Sequence, residues 1–321
     1  MTDSIENVAE AAQLAATRIA DIICETPLQH SPAFTQEAGA EVFLKLENLQ
    51  HTGSFKLRGA ANRVRTLSAE QRAGGCVAAS SGNHGAAVAY AMRDLGTSAV
   101  IFVPEQTSSA KVNAILGYGG EVRYFGTDGL DTEQHAREYA ASNGMFYLSP
   151  YNDAEVIAGQ GSCGVEIVKQ LPDVDTVFIA VGGGGLLSGV GSVLKTHNPD
   201  VRVIACQPEA SAVMAKSVEA GRIVDLPAEP TLSDGTAGGI EHDSITFELC
   251  RQIVDEFVLV SEDQIAAAMR WFSDAEGQTI EGAAGVAVAA LFKQQKTLAG
   301  QKVCILICGG NVSQDVLDTL R

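Results

Sequence analysis

Short apolar runs rich in β-branched residues alternate along this chain with longer stretches in which apolar positions recur at helical spacing. The first pattern is typical of buried strands, and the second is typical of amphipathic helices. Their regular alternation predicts an α/β fold, with mainly parallel sheets flanked by helices. The predicted strands cover residues 42–47, 99–103, 122–125, 177–181, 201–206, 257–260 and 303–307.

The opening stretch carries a helix start signal. Asp3-Ser4-Ile5-Glu6 has the spacing of a capping box, and the apolar positions Val8, Ala12, Ala15 and Ile19 follow it at helical spacing. A packed first helix is one interpretation of this stretch. A mobile N-terminal arm is the other.

Two predicted strand-to-helix junctions concentrate small and polar residues. Residues 78–85 read Ala-Ala-Ser-Ser-Gly-Asn-His-Gly, and residues 180–186 read Ala-Val-Gly-Gly-Gly-Gly-Leu. Ligands of parallel sheets bind at the carboxyl ends of strands, so both junctions are candidate sites. A change to loop chemistry at 149–152 indicates a boundary between two series of strands and helices.

Composition and charge exclude several classes of partner and site. The formal charge of −17 over 321 residues argues against nucleic acid or anionic lipid as a partner. No apolar run approaches the ~18 residues that cross a bilayer, and the acidic N-terminus differs from a secretory signal, so we expect a cytoplasmic protein. The seven cysteines are scattered and form no Cys-x-x-Cys pair, which argues against a disulfide framework or a zinc ribbon.

The glycine run favours an anion site. Adjacent glycines ahead of a helix present several backbone N–H groups to a phosphate, although a tight structural turn is the alternative. The spacing does not match a dinucleotide fingerprint, and no Gly-Lys-Ser/Thr follows as in a Walker A loop. A phosphate monoester therefore fits better than a nucleotide. The run consists of Gly182, Gly183, Gly184 and Gly185.

The other junction suits a carboxylate. Hydroxyls, an amide and exposed N–H groups precede the helix that we predict over 86–95. The alternative is that Ser80 or Ser81 is simply a helix cap and that His84 is an ordinary helix residue. The candidate binding residues are Ser80, Ser81, Gly82, Asn83 and His84.

Lys56 lies among Gly53, Ser54, Phe55 and Gly59, where Arg58 is the other nearby charge. A lysine whose pKa is lowered by burial can attack carbonyl carbons. Taken alone, however, a single lysine is far more often a solvated surface residue.

Five motifs together resemble the serine/threonine dehydratase and serine racemase family of fold type II pyridoxal-phosphate enzymes. The resemblance extends over nearly the whole chain, and the motifs stand in the family's order. They are Ser-Phe-Lys-Leu-Arg-Gly-Ala at 54–60, Ser-Ser-Gly-Asn-His-Gly at 80–85, Ile-Ala-Gly-Gln-Gly at 157–161, the glycine run at 182–185 and Cys-Gly-Gly-Asn at 308–311.

This resemblance implies pyridoxal 5′-phosphate as cofactor and Lys56 as the residue that forms its Schiff base. Phe55 is expected beside the ring, and Asn83 is expected to bond the 3′-oxygen. Gly182 to Gly185 and Leu186 are expected to hold the phosphate. Cys308 is expected to face the pyridine nitrogen as a neutral partner. Because such a partner does not stabilise a protonated ring nitrogen, prompt loss of a β-leaving group is favoured over transamination.

The implied reaction is dehydration and deamination of L-threonine or L-serine, with Lys56 as the base at Cα. Ser81 stands where serine racemases and hydroxyaspartate dehydratases carry a serine, so racemisation and other β-hydroxy amino acids stay open. Asp234 or Thr236 could help to select the substrate, although the glycines around them suit a structural turn equally well. A non-catalytic amino-acid sensor and a flavodoxin-like or nicotinamide oxidoreductase are weaker alternatives.

The resemblance also implies a tryptophan synthase β-like architecture and a homodimer. In this arrangement, residues 1–75 and 150–321 form a large cofactor-binding domain, and residues 76–149 form a small mobile domain. Gln207 and Val213 stand where the metal-binding relatives place acids, so no metal is expected there.

Overall fold

The computed structural model describes residues 4–227 and 229–320, and this part of the chain folds around two β-sheets covered by helices. The strands are β1 (Leu28–His30), β2 (Glu41–Leu46), β3 (Cys76–Ala79), β4 (Ala99–Val103), β5 (Glu121–Tyr124), β6 (Phe146–Tyr147), β7 (Thr176–Ala180), β8 (Arg202–Pro208), β9 (Glu256–Val260) and β10 (Lys302–Ile307).

Helices connect nearly all of these strands. They are α1 (Ile5–Arg18), α2 (Pro32–Ala38), α3 (Lys56–Thr66), α4 (Ala69–Gly74), α5 (Asn83–Asp94), α6 (Ser109–Gly117), α7 (Gly129–Ser142), α8 (Ala154–Gln170), α9 (Gly185–His197), α10 (Val213–Ala220), α11 (Ile245–Ile253), α12 (Glu262–Glu276), α13 (Gly282–Gln294) and α14 (Gln314–Thr319).

The larger sheet has six strands in the order β1-β2-β10-β7-β8-β9, and the smaller has four in the order β5-β4-β3-β6. Pairing is parallel throughout, except that β1 runs antiparallel to β2. The four strands of the smaller sheet all come from residues 76–147. This arrangement confirms the predicted α/β class with parallel sheets flanked by helices.

All seven predicted strands are present, and their ends lie within two residues of the predicted ones. The antiparallel β1, the four-residue β3 and the two-residue β6 were not among the predicted strands, because runs this short show little periodicity; for β3, only the junction at 78–85 implied a strand. The helix expected over 86–95 begins three residues earlier, at Asn83. Six of the seven cysteines are buried and Cys24 is half-buried, and all seven are free thiols.

The N-terminal stretch is a packed helix and not a mobile arm. The Ser4 hydroxyl caps α1 by accepting a hydrogen bond from the Asn7 amide. The predicted apolar positions, from Val8 to Ile19, are all buried. None of the helices in the described residues combines the length and apolar character needed to cross a membrane.

Helix α13 packs against the strands of the larger sheet and is buried along most of its length, from Gly282 to Leu291. Its buried residues are all Gly, Ala or Val except Leu291, which allows it to pack closely on β7, β8 and β10. Glu281 is the N-cap residue of this helix. The helix therefore brings a carboxyl group to the carboxyl edge of the sheet.

A buried ion cluster fixes α3 against the larger sheet. The Arg58 guanidinium donates through Nε and Nη2 to the two Glu47 carboxylate oxygens, both at 2.8 Å. It also reaches both oxygens of Glu166 on α8, at 2.6 and 2.8 Å. Lys45 Nζ lies 2.5 Å from Glu166 Oε2, so two cations face two anions. Although burial favours the neutral acid, Arg58 holds the Glu47 pKa below its usual value.

We expect Arg58→Ala to lower the free energy of unfolding by about 3–5 kcal/mol, because it leaves the buried Glu47 carboxylate without its ion-pair partner and Glu166 with Lys45 alone. Urea unfolding of the apoprotein, followed by circular dichroism, measures this change. Lys216→Ala removes an exposed ion pair with Glu219 and should change stability by less than about 1 kcal/mol. Equal effects of the two substitutions would contradict the assignment of the cluster as the anchor of α3.

Candidate active site

The carboxyl ends of four parallel strands lead into the predicted site residues. Lys56 opens α3 after β2, and Gly82 precedes α5 after β3. The glycine run follows β7, and Cys308 follows β10 directly. The motifs after β2, β7 and β10 converge on one edge of the larger sheet, because its parallel strands point their carboxyl ends the same way. The β3 junction of the smaller sheet meets this edge through hydrogen bonds of Asn83 with Glu281 and Asn311.

Lys56 is held at the start of α3 with its amine turned toward the chain that leaves the smaller sheet. Its Nζ donates to the Pro150 carbonyl at 2.9 Å and lies 5.2 Å from the centre of the Phe55 ring. Loss of hydration lowers the pKa of this amine to about 8, while negative charge at Cys308 and Glu281 would oppose the shift. Near neutral pH, an appreciable fraction of Lys56 is therefore an uncharged nucleophile.

Cys308 is a buried neutral thiol next to Lys56. Its backbone carbonyl accepts a hydrogen bond from the Phe55 amide at 3.1 Å, which joins the end of β10 to the start of α3. Burial raises the pKa of the thiol well above its usual value, and the Glu281 carboxylate adds to this effect. Cys308 is therefore protonated at neutral pH and presents no charge to the site.

Asn83 and Glu281 meet across the site. The Asn83 side-chain amide donates to Glu281 Oε1 at 3.0 Å and to Oε2 at 2.9 Å. Burial raises the Glu281 pKa to about 7, although the Asn83 hydrogen bonds lower it. The sequence prediction missed Glu281. The available signal was a lone acid between apolar Ile280 and the small residues that follow it.

The glycine run forms a tight loop that ends at an uncapped helix. Gly184 has a φ of +86°, which favours glycine, and no side chain caps the start of α9. A Cβ on Gly183 would lie 2.5 Å from the Tyr151 ring, and one on Gly182 would lie 2.9 Å from the Thr236 Cα. The close packing therefore requires glycine, and the N–H groups at the uncapped helix start are available to an anion. The run is both a tight structural turn and a candidate phosphate site.

The junction between β3 and α5 also ends at an uncapped helix. Gly82 is the N-cap residue, so neither serine caps the helix, and the Ser80 hydroxyl accepts a bond from the Gly82 amide at 3.2 Å. Ser81 is half-buried and lies two residues before the start of α5. The available N–H groups suit a carboxylate.

The side chain of His84 is committed elsewhere. Its Nε2 lies 2.9 Å from the Leu148 carbonyl oxygen, and burial lowers its pKa to about 3. The imidazole is therefore neutral, and its Nε2–H donates to this carbonyl, so the ring offers no positive charge to a ligand.

The loop at 231–239 packs onto this site. A Cβ on Gly235 would lie 3.5 Å from Glu281 Oε1, but the Asp234 carboxylate bonds Lys111 of α6 at 3.0 Å. The Thr236 hydroxyl bonds the Ser233 hydroxyl at 2.5 Å. These polar groups hold the loop in place.

The side-chain amide of Gln207, near the end of β8, holds the start of α10. Gln207 donates to the Val181 carbonyl at 3.0 Å and accepts from the Ala215 amide at 2.8 Å. Over residues 4–227 and 229–320, no group of three or more His, Cys, Asp or Glu side chains is suited to a metal ion.

Comparison with known proteins identifies close relatives. A family model described as "Pyridoxal-phosphate dependent enzyme" matches residues 19–309. The L-threonine ammonia-lyase of Thermotoga maritima is 38% identical over 317 residues, which cover 99% of this chain and 78% of that protein. The catabolic L-threonine dehydratase TdcB of Escherichia coli K12 is 37% identical over 311 residues, which cover 96% and 93% of the two chains.

Solved structures share the same architecture. Maize serine racemase matches with a TM-score of 0.92 and 30% identity, covering 99% of this chain and 97% of the other. The processed form of threonine deaminase isoform 2 from Solanum lycopersicum also has a TM-score of 0.92, with 32% identity and coverage of 97% and 92%.

We expect the reactivity of Lys56 toward a small acylating reagent to rise with pH around a midpoint near 8. In Glu281→Gln the midpoint should move to lower pH, because the lost carboxylate no longer stabilises the ammonium form. Peptide mass spectrometry across a pH series measures both midpoints. Glu219→Gln, at an exposed position, is the control, and an unchanged or higher midpoint in Glu281→Gln would argue against this electrostatic coupling.

Proposed function

Because the chain belongs to the family of pyridoxal-phosphate dependent enzymes, we propose that it is an ammonia-lyase that converts L-threonine and L-serine into the corresponding 2-oxo acid and ammonia. Its cofactor is pyridoxal 5′-phosphate. Relatives named for L-threonine match nearly the whole chain at 37–38% identity. The observation that carries the proposal is the largely desolvated amine of Lys56 beside the neutral thiol of Cys308.

The described residues fit this cofactor. The lysine amine is nucleophilic at a moderate pH, and a carbonyl-bearing cofactor requires such a group. The uncapped N-terminus of α9, behind the glycine loop, suits a phosphate. We assign the contacts to Lys56 for the covalent bond, Phe55 and Asn83 for the ring, Gly182, Gly183, Gly184, Gly185 and Leu186 for the phosphate, and Cys308 for the pyridine nitrogen.

When bound, the cofactor withdraws electrons from the substrate Cα and so makes the Cα proton acidic. The Lys56 amine, once the substrate amine has taken its place at the cofactor, would be the base that removes this proton, since its pKa of about 8 lies close to physiological pH. The neutral Cys308 adds no charge at the ring nitrogen, which favours early loss of the β-hydroxyl. The N–H groups of Ser81, Asn83 and His84 orient the substrate carboxylate, while the Ser80 hydroxyl holds the loop by accepting from the Gly82 amide.

Serine racemisation is the second candidate, and the Ser81 hydroxyl favours it. Ser81 is half-buried in the carboxylate loop, and a serine racemase is among the most similar structures. A hydroxyl that protonates Cα on the face opposite Lys56 would invert its configuration. Elimination and racemisation begin with the same proton removal, so one site can support both.

We also propose that residues 76–149 form a small domain that closes over the substrate against a large domain of residues 1–75 and 150–321. An apolar core joins α3 to α5 across the two parts. Three contacts between the parts near the site are polar, and contacts of this kind can break and form again. They are Asn83 with Glu281, Lys111 with Asp234 and Arg137 with Glu241. A homodimer in the cytoplasm agrees with the family resemblance and with the acidic, cysteine-containing sequence.

We expect purified protein to be yellow and Lys56→Ala to be colourless, with ammonia release reduced by roughly 10²–10⁴-fold or more. Absorbance spectra and a coupled ammonia assay measure the two effects. Lys216→Ala, at an exposed lysine, should behave as wild type. A wild type that cannot bind pyridoxal phosphate would falsify the proposed function.

A substrate panel tests the assigned reaction. We expect L-threonine and L-serine to give 2-oxo acid and ammonia faster than their D-enantiomers or hydroxyaspartate. Chiral chromatography detects racemisation in the same samples. If Ser81 supplies the second proton, Ser81→Ala loses racemisation and keeps ammonia release. Hydroxyaspartate as the best substrate would overturn the assignment to threonine and serine.

A further inference from the structure

We propose that Asn311 is a positioning residue that fixes the orientation of the Asn83 side-chain amide toward the cofactor. This inference rests on the proposed contact between Asn83 and the cofactor ring. Asn311 is the last residue of the Cys-Gly-Gly-Asn motif at 308–311, whose first residue, Cys308, is assigned to the pyridine nitrogen. Its position comes from the chain that leaves β10.

The orientation of Asn311 follows from a backbone group. Its Nδ2 donates to the Thr52 carbonyl oxygen at 2.8 Å and to Asn83 Oδ1 at 2.7 Å. A backbone carbonyl can only accept, so Asn311 must present its NH₂ group to this side. The same NH₂ group then requires the oxygen of the Asn83 amide, and not its nitrogen, to face Asn311.

The Asn83 NH₂ group is consequently directed away from Asn311. Its nitrogen lies within hydrogen-bond distance of both Glu281 oxygens, which one hydrogen can satisfy, so the second hydrogen can donate to a ligand oxygen. Glu281 imposes this orientation of the Asn83 amide only when it is ionised. Its carboxylate accepts from the NH₂ group, but its protonated form could equally donate to the amide oxygen. The Thr52–Asn311 contact removes this ambiguity.

The close approach of Asn311 depends on Gly53. A Cβ on Gly53 would lie 2.5 Å from Asn311 Oδ1, and Gly53 has a φ of +74°. The Gly310 amide donates to the Gly53 carbonyl at 2.9 Å, which holds the two segments together. Gly53 precedes Lys56 by three residues, so the amide network and the lysine share one short segment.

The test measures the affinity of apoprotein for pyridoxal 5′-phosphate by fluorescence titration. We expect Asn311→Ala to weaken binding about 3- to 10-fold, which corresponds to one hydrogen bond. Asn311→Asp should weaken it at least as much, because a carboxylate cannot donate to Thr52 or Asn83. A residue that only fills space would show the reverse order, since Asp preserves the volume that Ala removes. The control is Asn143→Ala, which removes an exposed amide that donates to the Tyr139 carbonyl.

A double-mutant cycle with Asn83→Ala separates the two proposals. If Asn311 acts through Asn83, Asn311→Ala has no further effect on affinity once Asn83 is alanine. Wild-type affinity in Asn83→Ala would remove the proposed contact of Asn83 with the cofactor, and with it this inference. Weak binding in Asn83→Ala together with wild-type affinity in Asn311→Ala, or with fully additive effects, would overturn the role of Asn311 alone.

Discussion

The position of the reactive lysine depends on the buried ion pairs that the Arg58 guanidinium makes with Glu47 and Glu166. The guanidinium binds Glu47 at the end of β2 and Glu166 on α8, and Lys45 completes the charge balance. A buried cation without these partners would strongly destabilise the fold, so the cluster forms as a unit. Since Arg58 lies within the first turn of α3, the cluster fixes the helix that begins with Lys56.

Above this anchor, the site controls charge through burial. Desolvation lowers the pKa of Lys56 and raises those of Glu281 and Cys308, so all three groups move toward their neutral forms. A site of this kind suits an anionic cofactor and an amino-acid substrate. The attraction for their negative charges then comes from helix N-termini at α5 and α9 rather than from basic side chains. This explains how a chain with a formal charge of −17 can bind such ligands.

Much of the fold could be predicted, because parallel strands buried on both faces leave a clear apolar signal. Three strands were missed for specific reasons. Strands β3 and β6 have four and two residues, and β1 pairs antiparallel at the sheet edge. The residues of the candidate site that belong to recognisable motifs could be predicted from the sequence. Glu281 was missed because its role depends on α13, which lies far along the chain from Asn83.

The sequence by itself determined the α/β class, the family resemblance and Lys56 as the candidate lysine, because these depend on local periodicity and on short motifs. Tertiary structure decided which groups meet. It committed the His84 ring to the Leu148 carbonyl, made Gly82 the helix cap, and joined Asn83, Glu281 and Asn311 across the site. The physical reason is that pKa values and amide orientations are set by neighbours in space, and these come from segments more than 190 residues apart.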